Sequence, residues 1–455
     1  MGRTIAAVST AMASGPVGIV RISGEDAFSI VDQVFRPERG KPLSKRDRHK
    51  LIYGSLLDRH GLLLDQCLAC VMEGPHSYTG EDMAEIQCHG SMTVINAALS
   101  AVFSAGAVQA EPGEFTKRAF LNGRLDLSGA EAVHDMVTAQ TVQAARNAAA
   151  QLTGAVGNRI RDIRERLVTL AATFYAYVDY PDEEIDLSLF EHAEEILQQT
   201  TGELYALAES YEKGKVAKEG IACAILGKPN VGKSSLLNAL TGEDSAIVTA
   251  IAGTTRDIVE ETIRLGPVLL RVSDTAGLRD TEDAVEKIGI ERAIRRADRA
   301  SLILAVFDGS APLSYEDKMV VARTEGKRAI AVWNKCDLPA AADEDFLRRH
   351  FQKIVKISAK NGDNLQVLTQ TICEMAGLSD VAFDGSLITN ARQAAALTRA
   401  ARRCEEAFFS AQSGMTADAV VMDTEGAIAA LGEITGQTVT DDIVQKIFEQ
   451  FCVGK

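Results

Sequence analysis

The chain has 455 residues, 46% of them hydrophobic, and a net charge of −15 at pH 7. That length exceeds one ordinary domain and predicts roughly two to four, while the charge argues against a broad basic coat, so any nucleic-acid contact must be local or shared with a partner. No apolar run approaches the ~18 residues of a membrane span, and Met1-Gly2-Arg3-Thr4 opens straight into strand-like sequence without a secretory signal, so a soluble cytoplasmic protein is expected, with no membrane partner.

Residues 1 to about 118 mix short strands, Gly/Pro turns and two helical stretches, an α+β pattern. Within them Cys67-Leu68-Ala69-Cys70 lies in an alternating stretch that turns its two thiols toward different surroundings. No second pair completes a zinc site, so structural thiols are expected. From about Ser128 the texture changes to long alanine-rich helix, with Ile160, Ile163, Leu167, Leu170, Phe174 and Val178 spaced by threes and fours. Pro181 interrupts it, and a further helix runs from about Glu191 toward Tyr211. Strand and helix then alternate over roughly 217 to 376, and helical periodicity returns through Ala391 to Ala411 and on to Phe451.

The fold class expected is therefore multidomain, α/β and α+β. An N-terminal α+β domain spans 1–118, a helical bundle has its halves at 119–216 and 377–455, and an α/β domain at 217–376 is inserted between those halves. Loop-closure energetics tolerate such an insertion if the inserted domain's termini lie close together. Two arginine clusters, Arg159, Arg161, Arg164 and Arg166 on one helix and Arg399, Arg402 and Arg403 on another, are either solvated faces, the commoner case, or local nucleic-acid patches.

Gly227-Lys228-Pro229-Asn230-Val231-Gly232-Lys233-Ser234 is a complete phosphate-binding loop between the apolar run Ile221 to Leu226 and the helix-like run from Ser235 to Leu240. The glycines let backbone N–H groups turn inward on phosphates, the helix N-terminus adds partial positive charge, Lys233 reaches the β/γ oxygens and the Ser234 hydroxyl faces Mg²⁺. The base is read by Asn334-Lys335-Cys336-Asp337, where the Asp337 carboxylate accepts from N1–H and the exocyclic amine of guanine; adenine lacks that donor pair, so GTP is selected. Ile357-Ser358-Ala359-Lys360 matches the loop that backs the base in GTPases. In Asp274-Thr275-Ala276-Gly277 the aspartate ends a strand beside Mg²⁺ and Gly277 offers its N–H to the γ-phosphate, while Thr255 supplies a second Mg²⁺ hydroxyl.

Where Ras-like enzymes place a water-orienting glutamine this chain has Leu278, so water must be held by another group. Asp280, Glu282, Asp283 and Glu286 offer carboxylates; a solvated acidic loop also accounts for all four, and Glu286 is the choice among them. An arginine finger is also missing. Asn230 suggests a substitute, because its amide oxygen in the phosphate loop is placed to bridge a hard monovalent cation to the nucleotide.

More specific segments are Val17-Gly18-Ile19-Val20-Arg21-Ile22-Ser23-Gly24, Ser77-Tyr78-Thr79-Gly80-Glu81-Asp82, the run from Pro112 to Leu127, and the terminal Cys452-Val453-Gly454-Lys455. With these the chain resembles, from end to end, the MnmE (TrmE) family of tRNA modification GTPases. The resemblance implies an inserted Ras-like P-loop G domain, K⁺ activation with the ion held by Asn230, Thr249, Ile251 and Thr254, and Glu286 at the family's water-orienting position. Thr249 and Thr254 then belong to the GTP site together with Ser235. It also implies a homodimer and an N-terminal folate-binding domain for 5-formyl-tetrahydrofolate or a related reduced folate. Arg21, Glu85 and Arg124 occupy the folate-contacting positions, with Lys455 joining from the C-terminus; Arg124 stands where some relatives have lysine. The resemblance further implies a partner resembling MnmG (GidA) that carries FAD, the pair modifying C5 of the wobble uridine of certain tRNAs. Cys452 is either a plain buried cysteine or, by the resemblance, a nucleophile near the folate or nucleotide chemistry. Two rival classes remain. A ribosome-assembly GTPase should append a basic RNA-binding domain, which this acidic chain lacks; a folate-dependent transfer enzyme would use its G domain only for regulation.

Overall fold

The computed structural model describes residues 2–179, 188–242, 260–273, 298, 300–379 and 381–454. The chain divides into two compact units, one of Met1–Val137, Ala150–Gly202 and Ala396–Lys455, the other of Thr138–Ala149 and Glu203–Ala395.

The first unit holds strands β1 (Ile5–Val8), β2 (Val17–Ser23), β3 (Phe35–Pro37), β4 (Ile52–Leu57), β5 (Leu63–Met72), β6 (Met83–His89) and β7 (Val108–Gln109), in the sheet order β3-β4-β5-β6-β2-β1-β7. All neighbours are antiparallel except β1 and β7. Helices α1 (Ala27–Val34) and α2 (Met92–Ser104) pack on one face. Because side chains alternate along a strand, Val20, Ile22, Ala84, Ile86, Cys67, Ala69 and Val71 join Ile30, Val31, Ile95 and Val102 in that core. Their neighbours Arg21, Glu85 and Cys70 are consecutive cross-strand partners on the opposite face. Cys67 and Cys70 thus face different surroundings, as the alternation predicts, and both are buried free thiols. Burial pushes the Cys67 thiol up to about 12, which makes it a poor nucleophile.

The sequence suggested two helical stretches before residue 118; a third, α3 (Glu114–Leu121), straddles that point. The single long helix expected after Ser128 is three: α4 (Leu127–Thr138), α5 (Val142–Leu152) and α6 (Ala155–Asp179). Thr141 starts α5 by accepting from the Ala144 N–H at 3.0 Å, and Gly154 takes φ +95° ahead of α6, a left-handed value that suits glycine. Ile160, Ile163, Leu167, Leu170 and Phe174 are buried, but Val178, the last of the expected stripe, is 38% exposed. The helix expected from Glu191 to Tyr211 is longer, α7 (Ser188–Glu219). Helix α6 packs along the helix Ala417–Thr435, and Tyr175 Oη donates to Glu425 at 2.7 Å.

The second unit is built on β8 (Ile221–Leu226), β9 (Glu260–Leu265), β10 (Val268–Ser273), β11 (Leu302–Asp308), β12 (Ala329–Asn334) and β13 (Lys353–Lys356), in the order β13-β12-β11-β8-β10-β9. All neighbours are parallel except the β9/β10 hairpin. Strands β11 and β12 are buried along nearly their whole length, the continuous apolar signature of a parallel sheet covered on both faces. From β8 the chain goes on to β10 on one side, then returns to β11 on the other. The carboxyl end of β8 is therefore a topological switch point, where open α/β sheets place their ligands.

Candidate functional site

The phosphate loop leaves β8 at that switch point and enters α8 (Lys233–Leu240), whose N-cap is Gly232. The first N–H groups of a helix have no intrahelical acceptor and carry the positive end of its dipole, so they face an anion well. Close contacts fix both loop glycines. A Cβ on Gly227 would meet the Val306 carbonyl at 2.6 Å, and one on Gly232, at φ +96°, would meet Asn334 Nδ2 at 2.2 Å. Asn230 is exposed at φ +62°, a left-handed conformation that asparagine tolerates better than most residues. Lys233 Nζ donates to the carbonyls of Gly227 at 2.8 Å and Lys228 at 2.7 Å, inside the curl of the loop. Burial pushes its ammonium below the ordinary lysine pKa, which raises the gain from an incoming phosphate. This is an anion cradle with a cation already in it, and the residues present fit a nucleotide's phosphates.

Asn334 ends β12, is 3% exposed, and joins three loops. Its Nδ2 donates to the Val231 carbonyl at 2.8 Å, and its Oδ1 accepts from the Ala359 N–H at 2.9 Å. The phosphate loop and the loop at Ser358 to Lys360 are thereby tied to one buried amide. Lys335, at φ +64°, donates to Asp308 Oδ2 at 2.6 Å. Burial alone would raise the Asp308 carboxyl, but hydrogen bonds from Lys335 and Ser310 bring it below its ordinary value. Asp337 and Lys360 are exposed beside these anchored residues, whereas Ser358 and Ala359 are buried. Ser358 N donates to the Asp363 carbonyl at 3.2 Å and its Oγ accepts from Asn361 N at 3.2 Å, which closes the loop on itself.

One anchor has no signal in local spacing. Lys228 Nζ reaches Asp317 Oδ2 at 2.7 Å, across 89 positions. Asp317 is 1% exposed and forms a capping box with Ser314 at the start of the helix Tyr315–Thr324. Removing one partner of such a pair leaves a buried charge unmatched, a cost of about 3–5 kcal/mol at full burial.

On the face of the first sheet opposite those helices Arg21 Nε donates to Glu85 Oε1 at 2.8 Å. The Arg21 guanidinium lies 5.5 Å from the Tyr78 ring centre and 5.7 Å from that of Phe115, within cation–π range. Tyr78 Oη shares a hydrogen bond with Thr116 at 2.9 Å, and Ser23, Thr79, Glu81 and Arg118 form a half-buried chain of hydrogen bonds. Arg124 is exposed and bonds to neither Arg21 nor Glu85; it reaches the same loop at Gly80, where an added Cβ would lie 3.3 Å from Arg124 Cγ. The C-terminal segment docks nearby. Val453 bridges Pro112, the Gly113 N–H donates to the Cys452 carbonyl at 3.3 Å, and Ser9 Oγ donates to the Gly454 carbonyl at 3.1 Å. Gly454 sits at φ +96° with Val8 O 2.1 Å from where a Cβ would be. Cys452 is exposed, which corrects the plain buried-cysteine reading.

Thr249, Ile251, Thr254, Thr255, Asp274, Thr275, Ala276, Gly277, Glu286 and Lys455 lie outside the described residues. Of the arginine clusters, Arg399 pairs with Glu433, Arg402 with Glu406, and Arg403 with Glu406 and Asp423, while Arg161 pairs with Asp126. The face of Arg399, Arg402 and Arg403 is therefore charge-balanced. No helix among the described residues is long and apolar enough to cross a membrane.

Two family descriptions match the chain: the GTP-binding protein TrmE N-terminus over residues 4–124, and the MnmE helical domain over residues 127–452. Curated relatives named tRNA modification GTPase MnmE align along the full length. That of Symbiobacterium thermophilum is 43% identical, covering 99% of both chains, and that of Lachnoclostridium phytofermentans is 42% identical, again with 99% of each covered. A third, from Clostridioides difficile, is 40% identical over 99% of both chains. With the phosphate loop at the sheet's switch point, the buried Asn334 tie and likeness along the whole chain, this protein belongs to the MnmE (TrmE) family of tRNA modification GTPases.

Proposed function

We propose that the chain is a K⁺-activated, Mg²⁺-dependent GTP hydrolase. With an FAD-carrying partner resembling MnmG, it adds an aminomethyl or carboxymethylaminomethyl group to C5 of the wobble uridine (position 34) of certain tRNAs in the cytoplasm. The observation that carries the nucleotide part is the Asn334 amide, which holds the phosphate loop and the loop at Ala359 in one register. Phosphate and base recognition then share one preorganised frame, so binding pays little for ordering.

In this reading Lys233 binds the β/γ oxygens, Ser234 and Thr255 hold Mg²⁺, and Asp274 to Gly277 border the γ-phosphate. Asp337 reads guanine, and Glu286 orients water. Asn230 presents its exposed amide for K⁺ together with Thr249, Ile251 and Thr254. Mg²⁺ neutralises the developing phosphoryl charge, and K⁺ supplies the positive charge an arginine finger gives elsewhere. Residues 1–118 form the folate and homodimerisation domain, 119–216 and 377–455 the helical domain, and 217–376 the G domain. A reduced folate brings the one-carbon unit. The Arg21–Glu85 pair suits it because Glu85 Oε2 and both terminal nitrogens of Arg21 have no protein partner among the described residues, so donor and acceptor capacity remains for a pterin. Cys452 arrives on the docked tail, Lys455 is assigned to the folate, and G-domain closure across the dimer drives the conformational step.

The test is GTP hydrolysis by the purified chain in KCl and in NaCl at equal ionic strength, with ATP and Asn230→Ala as controls. GTP-specific turnover that needs K⁺ and is lost in the variant is expected; equal turnover in both salts rejects the cation assignment. Retention of tRNA modification by Glu286→Ala, with nucleotide still bound, would favour a folate-transfer enzyme with a merely regulatory G domain.

A further inference from the structure

Residues 36–50, the end of β3 and the loop that leads to β4, carry seven Lys/Arg against Glu38 and Asp47, a net +5 on a chain of −15, which leaves −20 for the remainder. Two of the seven cations brace the loop from within. Arg46 Nε donates to the Lys41 carbonyl at 2.8 Å, and its guanidinium also reaches the Arg39 carbonyl. Arg48 donates to the carbonyls of Ser44 at 2.9 Å and Arg46 at 3.1 Å, and its guanidinium lies 4.6 Å from the Phe28 ring centre. Lys50 pairs with Asp47 at 2.6 Å. Leu43 is fully buried, and Ser44 N donates to Asp32 at 3.2 Å, so the loop is pinned to the body of the sheet.

The remaining four, Arg36, Arg39, Lys41 and Lys45, are exposed and form no ion pair among the described residues. They differ in this from Arg399, Arg402 and Arg403, each matched by a carboxylate. Unpaired like charges on one short loop repel each other, and the loop keeps them together by spending two arginines on its own carbonyls. A polyanion relieves that repulsion and releases counterions.

We propose that the braced loop 36–50 is a phosphate-backbone contact surface for RNA, engaged through Arg36, Arg39, Lys41 and Lys45. The inference rests on the reading of tRNA as substrate and names where this acidic chain touches it. The contact is electrostatic and independent of sequence: it positions the RNA and leaves base recognition to other groups.

The experiment measures binding of total tRNA to the full chain across a series of KCl concentrations, for the natural sequence and a variant carrying Arg36→Gln, Arg39→Gln, Lys41→Gln and Lys45→Gln. Each phosphate contact contributes about 0.7 to 0.9 to the slope of log K against log salt. The variant should lose about 3 from that slope and bind at least about tenfold more weakly at 0.1 M salt, with basal GTP hydrolysis and thermal melting unchanged. A control with Arg399→Gln, Arg402→Gln and Arg403→Gln should keep the natural slope. An unaltered slope in the loop variant overturns the inference, as does an unaltered slope with a changed sedimentation coefficient, which would make the loop a protein contact. Failure of the natural chain to bind tRNA at any salt, alone or with its FAD partner, would instead refute the reading on which it rests.

Discussion

Replacing Asn334 by alanine removes one side chain and leaves two buried main-chain groups without partners, the Val231 carbonyl and the Ala359 N–H, now held at 2.8 and 2.9 Å. Each such loss costs about 1–2 kcal/mol once relaxation and water entry are allowed, so the two loops are loosened by about 2–4 kcal/mol in total. If half of that appears in nucleotide binding, GTP affinity falls about 5- to 30-fold at ~1.4 kcal/mol per decade. Asparagine to aspartate is the sharper perturbation. It keeps an acceptor for Ala359 N but sets a carboxylate oxygen against the Val231 carbonyl, so Asn334→Asp should bind GTP more weakly than Asn334→Ala. Fluorescent-nucleotide titration gives the affinities, and hydrogen exchange at the Ala359 amide reports the tie itself. Affinity within twofold of the natural chain, with that amide still protected, would refute the reasoning.

Asp308→Asn should lower resistance to acid. The Asp308 carboxyl sits below its ordinary 3.8 in the folded protein, so its contribution is fully present above 3.8 and is lost as pH falls through the lowered value; the variant's acid-unfolding curve should merge with the natural one only below that range. Gly214→Ala should destabilise, although alanine favours helix by ~1 kcal/mol, because the new Cβ would lie 2.0 Å from the Ile388 carbonyl; a raised Tm would contradict this. Gly454→Ala should free the tail, since its Cβ would stand 2.1 Å from Val8 O. Carboxypeptidase would then release the last residues faster while GTP hydrolysis stays intact, and equal release rates would count against the docked tail.

Much of the candidate site was legible because its residues are contiguous. The loop from Gly227 to Ser234, Asn334 to Asp337, and Ser358 to Lys360 each act through backbone geometry or neighbouring side chains, so short segments carry their meaning. Asn334 was assigned to the nucleotide from its motif, yet its described bonds are both to the protein. The helix lengths were less legible. Alanine-rich sequence continues smoothly across Thr141 and Gly154, but a cap and a left-handed glycine divide it into separate helices. For the arginine clusters spacing favoured a solvated face over a nucleic-acid patch: it places Arg399, Arg402 and Arg403 on one helix, and packing brings Glu433 to Arg399 and Asp423 to Arg403.

By itself the sequence determined the strand-loop-helix chemistry of the phosphate site, the alternation that turns Cys67 and Cys70 toward different surroundings, and kinship along the whole chain. These depend on local periodicity and on residue types at fixed spacing. The tertiary structure decided which distant groups meet: Lys228 with Asp317, Val231 with Asn334 and Ala359, Gly113 with Cys452, and Arg21 with Tyr78 and Phe115. Such contacts are set by how elements far apart in the chain pack, and no spacing within a short window encodes them.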